Sequence, residues 1–214
     1  MKEKKLIKGH ENLGLTDKER QKLIKKAEKH FGNFLTAMQF DWENDPNMKD
    51  TPHRVTKAYV EELMAGNFKP SPKVTSFEDE DPTLLYNGMV CQTHIDVKSL
   101  CSHHFLGFTG KCHIAYIPSD TGEVIGLSKL NRLADFCARR PQVQERLTKQ
   151  IHDMISENIP NNKGVAVMIE AKHSCCSSRG IGHDSTMKTC IISGAFEDPS
   201  VKNEYLFYIS TQNI

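Results

Sequence analysis

The chain has 214 residues and a formal net charge of +1 at pH 7, so no overall field favours binding to nucleic acid. Its hydrophobic fraction of 38% and charged fraction of 26% are ordinary for a globular protein. No apolar stretch approaches the roughly 20 residues that cross a bilayer, and no apolar stretch follows the charged residues 1–5. We therefore expect a cytoplasmic protein without membrane attachment, in which the seven cysteines pack in the core or bind metal.

The first third of the sequence has helical periodicity. Thr16 and Glu19 have the spacing of a capping box. Apolar residues then recur at helical intervals from Leu23 to Met38. A second helix is predicted to begin at Thr51-Pro52, and Gly66 is its expected end.

A change of pattern near residue 75 predicts a domain boundary. Pro70, Pro72 and an acidic run at residues 78–81 interrupt the helical periodicity. We therefore predict an N-terminal helical extension over residues 1–74 and a second domain over residues 75–214.

The second domain is predicted to alternate between strands and helices. Strand-like alternation occurs at residues 90–100, 111–117, 164–171 and 186–196. Residues 128–158 have helical periodicity, and Pro141 divides them into two helices. A last helix is expected after Asp198-Pro199. The predicted fold class is α+β, with an antiparallel sheet and a helical pair.

Two separated segments contain the residues of a candidate zinc site. Cys101, His104 and Cys175 supply two thiolates and one imidazole, three ligands of a tetrahedral ion whose fourth position can hold water. In an extended segment the adjacent His103 and His104 point to opposite sides. We therefore assign His104 to the metal and His103 to acid–base catalysis.

His173 and Cys176 leave alternatives open. His173 is predicted to lie on the same strand face as Cys175, where it is either a second acid–base group or a core histidine. Cys176 competes with Cys175 as a ligand, and strand alternation favours Cys175.

Basic residues near these segments predict an anion site. Ser128, Lys129 and Arg132 lie at the start of a predicted helix, and Arg179 follows Cys175 by four residues. A helix N-terminus and an arginine both suit phosphate binding. Each of these cations alone could also be a solvated surface charge. No P-loop motif is present. Gln144-Glu145 adds a carboxylate whose two acceptors match a guanine edge, although this pair could also be surface helix. These patterns predict a metal-dependent hydrolase of an anionic small molecule.

Several long segments resemble the GTP cyclohydrolase I family over roughly residues 16–210. The resemblance lies in residues 51–55, 99–105, 110–118, 125–132, 140–148, 173–175 and 179–180. It implies a tunnelling fold (T-fold) and a homodecamer with active sites between subunits. It also implies the reaction, in which zinc-dependent hydrolysis opens the imidazole ring of GTP. The products are formate and 7,8-dihydroneopterin triphosphate, from which folate, other pterin or 7-deazaguanine pathways begin.

The resemblance also implies roles for individual residues. It implies that Cys101, His104 and Cys175 bind zinc and that His103 and His173 carry protons. It also implies that Gln144 and Glu145 recognise the guanine, with Gln144 counted among the catalytic residues as well. For the triphosphate it implies Ser128, Lys129, Arg132 and Arg179, with Arg54 and Lys57 from a neighbouring subunit.

The sequence departs from the family pattern at a few positions. Ser102 stands where the family usually has Glu, and Cys176 is an unusual second thiol beside a ligand. Residues 187, 190 and 191 lack the hydroxyl groups common in that late strand. Two alternative functions are compatible with parts of the sequence: a T-fold nitrile reductase of 7-deazaguanine metabolism, and a non-catalytic, zinc-stabilised assembly protein.

Overall fold

A computed structural model describes residues 6–77 and 85–210 of the chain. The chain divides into two units, Met1–Ser71 and Pro72–Ile214. The boundary expected from the sequence lies between residues 74 and 75, and the acidic run at 78–81 lies outside the described residues. Within the described part of the chain, no helix combines the length and the apolar character needed to span a membrane.

The first unit is helical. Helix α1 spans Asp17–Ala37, α2 spans Thr51–Ala58 and α3 spans Ala65–Phe68, with a π-helical turn at Tyr59–Leu63 between α2 and α3.

The sequence predicts the start of α1 correctly but not the end of the second helical segment. Thr16 N donates to Glu19 Oε2 (2.9 Å) and Glu19 N donates to Thr16 Oγ1 (3.4 Å), which confirms the capping box. Gly66 does not end the helical segment, because α3 runs through it. Its buried carbonyl oxygen accepts a hydrogen bond from Asn12 Nδ2 (2.7 Å).

The second unit contains the sheet. Its strands are β1 (Ser76–Phe77), β2 (Val90–Cys101), β3 (Gly107–Ile117), β4 (Val124–Ile125), β5 (Pro141–Gln142), β6 (Gly164–His173) and β7 (Thr186–Ile192). Its helices are α4 (Leu127–Ala138), α5 (Gln144–Asn158), α6 (Ser174–Ser177) and α7 (Pro199–Ser210), with a 3₁₀ turn at Gly194–Glu197.

Five strands form one sheet in the order β5-β2-β3-β6-β7, and β1 pairs separately with β4. Neighbouring strands of the large sheet are antiparallel except β5, which follows α4 and pairs parallel to β2 through two residues. This arrangement confirms the predicted α+β class, with a largely antiparallel sheet, a helical pair (α4 and α5) and an N-terminal helical unit.

Helices cover both faces of the sheet. On one face, Leu133 of α4 and Ile151 of α5 belong to the same buried cluster as Phe108 of β3. On the other face, Phe196 and Tyr205 pack against small residues of β3 and β6. Full burial of a large apolar side chain contributes about 1.5–3 kcal/mol, so these clusters hold β2, β3 and β6 in place.

Strands β3 and β6 approach each other closely at Gly110. A Cβ atom at this position would lie 1.9 Å from the carbonyl oxygen of Glu170 and 2.6 Å from Ala171 Cα. No side chain fits there, so glycine permits the pairing of β3 with the end of β6 that leads to His173.

Candidate metal centre and active site

Cys101 is the last residue of β2, and the chain then turns sharply. Phe105 N donates to Cys101 O (2.9 Å), and Phe105 has a positive φ of 55°. His103 and His104 therefore lie in a turn, so the alternation used to separate them does not apply. Within this turn, Cys101 Sγ is 3.6 Å from His103 Nδ1.

The second segment of the site also leaves the strand earlier than the sequence predicted. Strand β6 ends at His173, and Ser174–Ser177 forms the single helical turn α6. The expectation that His173 and Cys175 share a strand face was therefore wrong, because Cys175 lies beyond the strand. The turn still returns Cys175 toward Cys101.

Among residues 6–77 and 85–210, one group of side chains has the composition and spacing of a metal site. Cys101, His173 and Cys175 each offer one ligand atom, and these three atoms lie within 4.8 Å of one another. Two thiols and an imidazole are a donor set that suits zinc. The three residues could therefore hold this metal.

The chemistry of the thiols supports this fit. Burial raises the pKa of the Cys175 thiol to about 11, and the neighbouring thiols of Cys101 and Cys176 act in the same direction. Crowded sulfur atoms resist ionisation because thiolates repel one another. A divalent cation removes this obstacle, since metal ligation stabilises the deprotonated form.

His104, the predicted third ligand, lies outside this group. Its Nε2 is 2.8 Å from Arg179 Nη1, and both side chains are exposed. Arginine only donates hydrogen bonds, so this nitrogen accepts and has a free lone pair in the absence of the arginine. The assignment of His104 to the metal stays a prediction.

His173 is held by two contacts. Its Nε2 lies 2.9 Å from Gln144 Oε1, and its ring stacks on Phe108, with centroids 4.4 Å apart and an interplanar angle of 11°. Burial lowers the pKa of His173, and the nearby Glu145 carboxylate partly opposes this effect. A lowered pKa favours the neutral imidazole near pH 7, the form that accepts a proton.

Cys101, His173 and Cys175 line a cleft of about 300 Å³. The cleft includes six residues that the sequence predicted for the site: Cys101, His103, Gln144, Glu145, His173 and Cys175. Glu145 is exposed in the first turn of α5, whereas Gln144 beside it is buried and has partners within the chain for both its amide nitrogen and its oxygen.

The predicted triphosphate residues are not in the cleft lining. Ser128, Lys129 and Arg132 lie in the first turns of α4, and Lys129 Nζ is 3.5 Å from the carbonyl oxygen of Lys73. Arg179 contacts His104 instead of lining the cleft. The two remaining residues belong to the first unit; they are Arg54, which pairs with Asp50 (3.3 Å), and Lys57.

Other residues of the site were not predicted. Phe108 faces His173 because the two residues are partners in the β3–β6 register. The cleft also contains Val143, Ser185 and Met187, positions that a sequence pattern marks only once the strand pairing is known. Cys176, the thiol that competes with Cys175 in the sequence, lines the cleft as well.

Comparison with known proteins shows what the chain is similar to. The GTP cyclohydrolase I family matches residues 27–210. The GTP cyclohydrolase 1 of Flavobacterium johnsoniae is 42% identical over 197 residues, which cover 91% of this chain and 84% of that protein. The enzyme of the same name from Blochmanniella pennsylvanica is 37% identical over 211 residues, which cover 95% and 90% of the two chains.

A solved structure of the archaeosine synthase QueF-Like in the apo form aligns with a TM-score of 0.41 and 18% identity, over 50% of this chain and 94% of the other. The sequence matches extend along almost the whole chain and include the cleft. The chain belongs to the GTP cyclohydrolase I family.

Proposed function

We propose that the cleft lined by Cys101, Glu145, His173 and Cys175 is the place where this chain hydrolyses GTP. GTP cyclohydrolase I activity follows from the family, and it excludes both the nitrile reductase and the non-catalytic assembly protein. The reaction opens the imidazole ring of the guanine and yields formate and 7,8-dihydroneopterin triphosphate. The observation that supports the location is that three thiols, two imidazoles and a carboxylate meet in one cleft.

We assign the metal to Cys101, His104 and Cys175. The hydrogen bond from Phe105 N to Cys101 O closes a tight turn that contains both Cys101 and His104. Residues three positions apart in such a turn can have their side chains on the same side. His104 is exposed, so its ring can leave Arg179 without repacking the core. Zinc held by these three residues would supply Lewis-acid activation of water for the hydrolysis.

His103 and His173 are then available to move protons. His103 lies beside Cys101, and His173 is fixed by Phe108 and Gln144 within reach of the same thiols. Opening the imidazole ring requires protons to be delivered and removed at the base, which is a role suited to imidazole side chains.

Elemental analysis of two variants tests the ligand set. We expect His104→Ala to lose most of its zinc and His173→Ala to retain about one zinc per chain while losing turnover. The reverse result, zinc lost only from His173→Ala, would make His173 the third ligand and overturn our assignment. Formate release from GTP is measured on the same samples.

We propose that Glu145 recognises the guanine, with Gln144 next to it at the start of α5. Glu145 is exposed, lines the cleft and offers two acceptors to adjacent N–H donors of the base. A base that covers this carboxylate without supplying donors would leave its acceptors unpaired, which is costly, so the carboxylate discriminates against other bases.

We further propose that the triphosphate site is completed in a homodecamer. Ser128, Lys129 and Arg132 provide a helix N-terminus and two cations, Arg179 adds a third, and a neighbouring subunit adds Arg54 and Lys57. Support comes from the position of these residues outside the cleft lining of the single chain.

The mass of the assembly and a mixing experiment test this proposal. Light scattering should give ten times the chain mass of 24.2 kDa. Mixed oligomers of Arg54→Ala and Cys175→Ala chains should be more active than either variant alone, because some sites then combine two intact halves. A monomer, or mixtures with no gain, would contradict shared sites.

We place the enzyme in the cytoplasm, where a reducing environment keeps ligand thiols available for metal. Its product enters folate, pterin or 7-deazaguanine synthesis. GTP is its small-molecule partner, and we propose no nucleic-acid or membrane partner.

A further inference from the structure

The side chain of Gln144 has a fixed orientation. It is 1% exposed, and its Nε2 lies 3.2 Å from Ile169 O, 3.0 Å from Met187 O and 3.1 Å from Thr189 Oγ1. Carbonyl oxygens only accept hydrogen bonds, so the NH₂ group of the amide must face β6 and β7. The reverse orientation would set the amide oxygen against two carbonyl oxygens.

Two threonine hydroxyls support this orientation. Thr148 Oγ1 donates to Gln144 O (2.9 Å), which uses its single proton. In its contact with Thr189 Oγ1 (2.6 Å), Thr148 then accepts and Thr189 donates. Thr189 Oγ1 is left with a lone pair toward Gln144 Nε2, whose two protons are shared among three acceptors. Both hydroxyls are thus compatible with an NH₂ group that faces β6 and β7.

The amide oxygen of Gln144 consequently faces His173. This oxygen lies 2.9 Å from His173 Nε2 and can only accept, so Nε2 of His173 carries a proton. In the neutral ring Nδ1 is then the nitrogen with a free lone pair, and His173 belongs with Cys101 and Cys175 to the group whose ligand atoms lie within 4.8 Å of one another. The stacking on Phe108 holds the plane of the ring.

We propose that Gln144 is a positioning residue that acts through His173: it keeps the proton of His173 on Nε2 and directs Nδ1 to the reacting side of the cleft. The inference rests on the proposed function in treating His173 as a proton carrier. It gives Gln144 a role in setting the tautomer of that carrier instead of a side-chain contact with guanine.

The tautomer can be measured without any turnover. In histidine ¹⁵N-labelled full-length protein as purified, solid-state NMR should show His173 protonated on Nε2, with the resonance identified by its absence from His173→Gln. In Gln144→Met, which keeps the side-chain length but not the hydrogen bonds, we expect a mixture of tautomers. A proton on Nδ1 of the wild-type ring, or an unchanged tautomer in Gln144→Met, would overturn the proposal.

Kinetics separate positioning from substrate contact. Gln144→Met should lower kcat about 10- to 100-fold, as loss of an orienting partner typically does, with KM for GTP within about two-fold of wild type. A higher KM with unchanged kcat would show direct contact with the base and refute the positioning role.

Thr189 provides a milder pair of variants if Gln144→Met does not fold. Thr189→Val keeps the shape and removes the hydroxyl, whereas Thr189→Ser keeps the hydroxyl. We expect a few-fold loss of kcat in the first and recovery in the second; equal kcat in both would count against the network. Because the NMR measurement needs no formate release, failure of the proposed reaction and failure of this proposal are distinguishable.

Discussion

The imidazole of His173 and the phenyl ring of Phe108 lie face to face, 4.4 Å apart and 11° from parallel. The two residues are direct partners in the β3–β6 register, and Phe108 is fully buried. The hydrophobic core thus reaches the cleft through one stacked pair, so the position of His173, which we propose as a proton carrier, depends on core packing.

Replacing Phe108 should therefore affect both stability and rate. Phe108→Leu removes the flat surface under His173 and leaves a gap, which we expect to cost about 1–3 kcal/mol and to lower kcat. Phe196→Leu is the matched control, because Phe196 is equally buried but lies in the other core cluster. Urea unfolding and GTP turnover are measured for both; equal losses of kcat would deny a specific role for the stack.

The adjacent thiols Cys175 and Cys176 should respond differently to substitution. Cys175 belongs to the three-residue group, whereas Cys176 is exposed and lies outside it. We expect Cys175→Ala to lose bound zinc and turnover and Cys176→Ala to retain about one zinc per chain. Elemental analysis measures this, and loss of zinc from Cys176→Ala alone would exchange the two assignments.

Chelation of the metal should abolish the activity of the wild type, and added zinc should restore it.

Glu145 should determine base selectivity. Glu145→Gln keeps the shape but replaces one acceptor with a donor, so the guanine edge loses a charge-assisted hydrogen bond. We expect kcat/KM for GTP to fall about 10- to 100-fold. Inosine triphosphate lacks the exocyclic amino group, so Glu145→Gln should lower kcat/KM for this nucleotide less than it lowers kcat/KM for GTP. Parallel losses for both nucleotides would argue against recognition of that amino group.

His113 should make stability depend on pH. Burial, with a smaller contribution from His94, lowers the pKa of His113 below its ordinary value of 6.5, and Glu170 partly opposes this. The folded chain then takes up the proton at a lower pH than the unfolded chain does. The stability contributed by neutral His113 is complete above pH 6.5 and is lost as pH falls through the folded pKa.

Unfolding in urea at several pH values tests this. The free energy of unfolding should decrease from pH 7 to pH 5, and His113→Asn, which retains an acceptor near the position of Nδ1, should reduce the slope. Protein concentration must be constant, since assembly contributes to apparent stability. An identical slope in the variant would remove His113 as its source.

Local signals in the sequence predicted the elements well. The Thr16–Glu19 capping box and the break at Pro141 depend on hydrogen bonds and sterics within a few residues, and both are present. Gly66 was misread because buried contacts, such as the hydrogen bond from Asn12, can keep a glycine within a helix.

The site was less predictable because its geometry arises where regular structure ends. Strand alternation does not hold at residues 102–105 or at α6, so the relative directions of His103, His104, His173 and Cys175 did not follow from spacing. The stack on Phe108 requires the register of β3 with β6, which local sequence does not encode.

Gly110 lies two pairs along the ladder from the Phe108–His173 pair, with no room for even one methyl group against β6. Any larger residue there must push the two backbones apart, and the displacement would travel along a stiff strand to His173 and the helical turn behind it. The distance between the sulfur atoms of Cys101 and Cys175, and with it the fit of the proposed site to a metal ion, therefore depends in part on glycine at position 110.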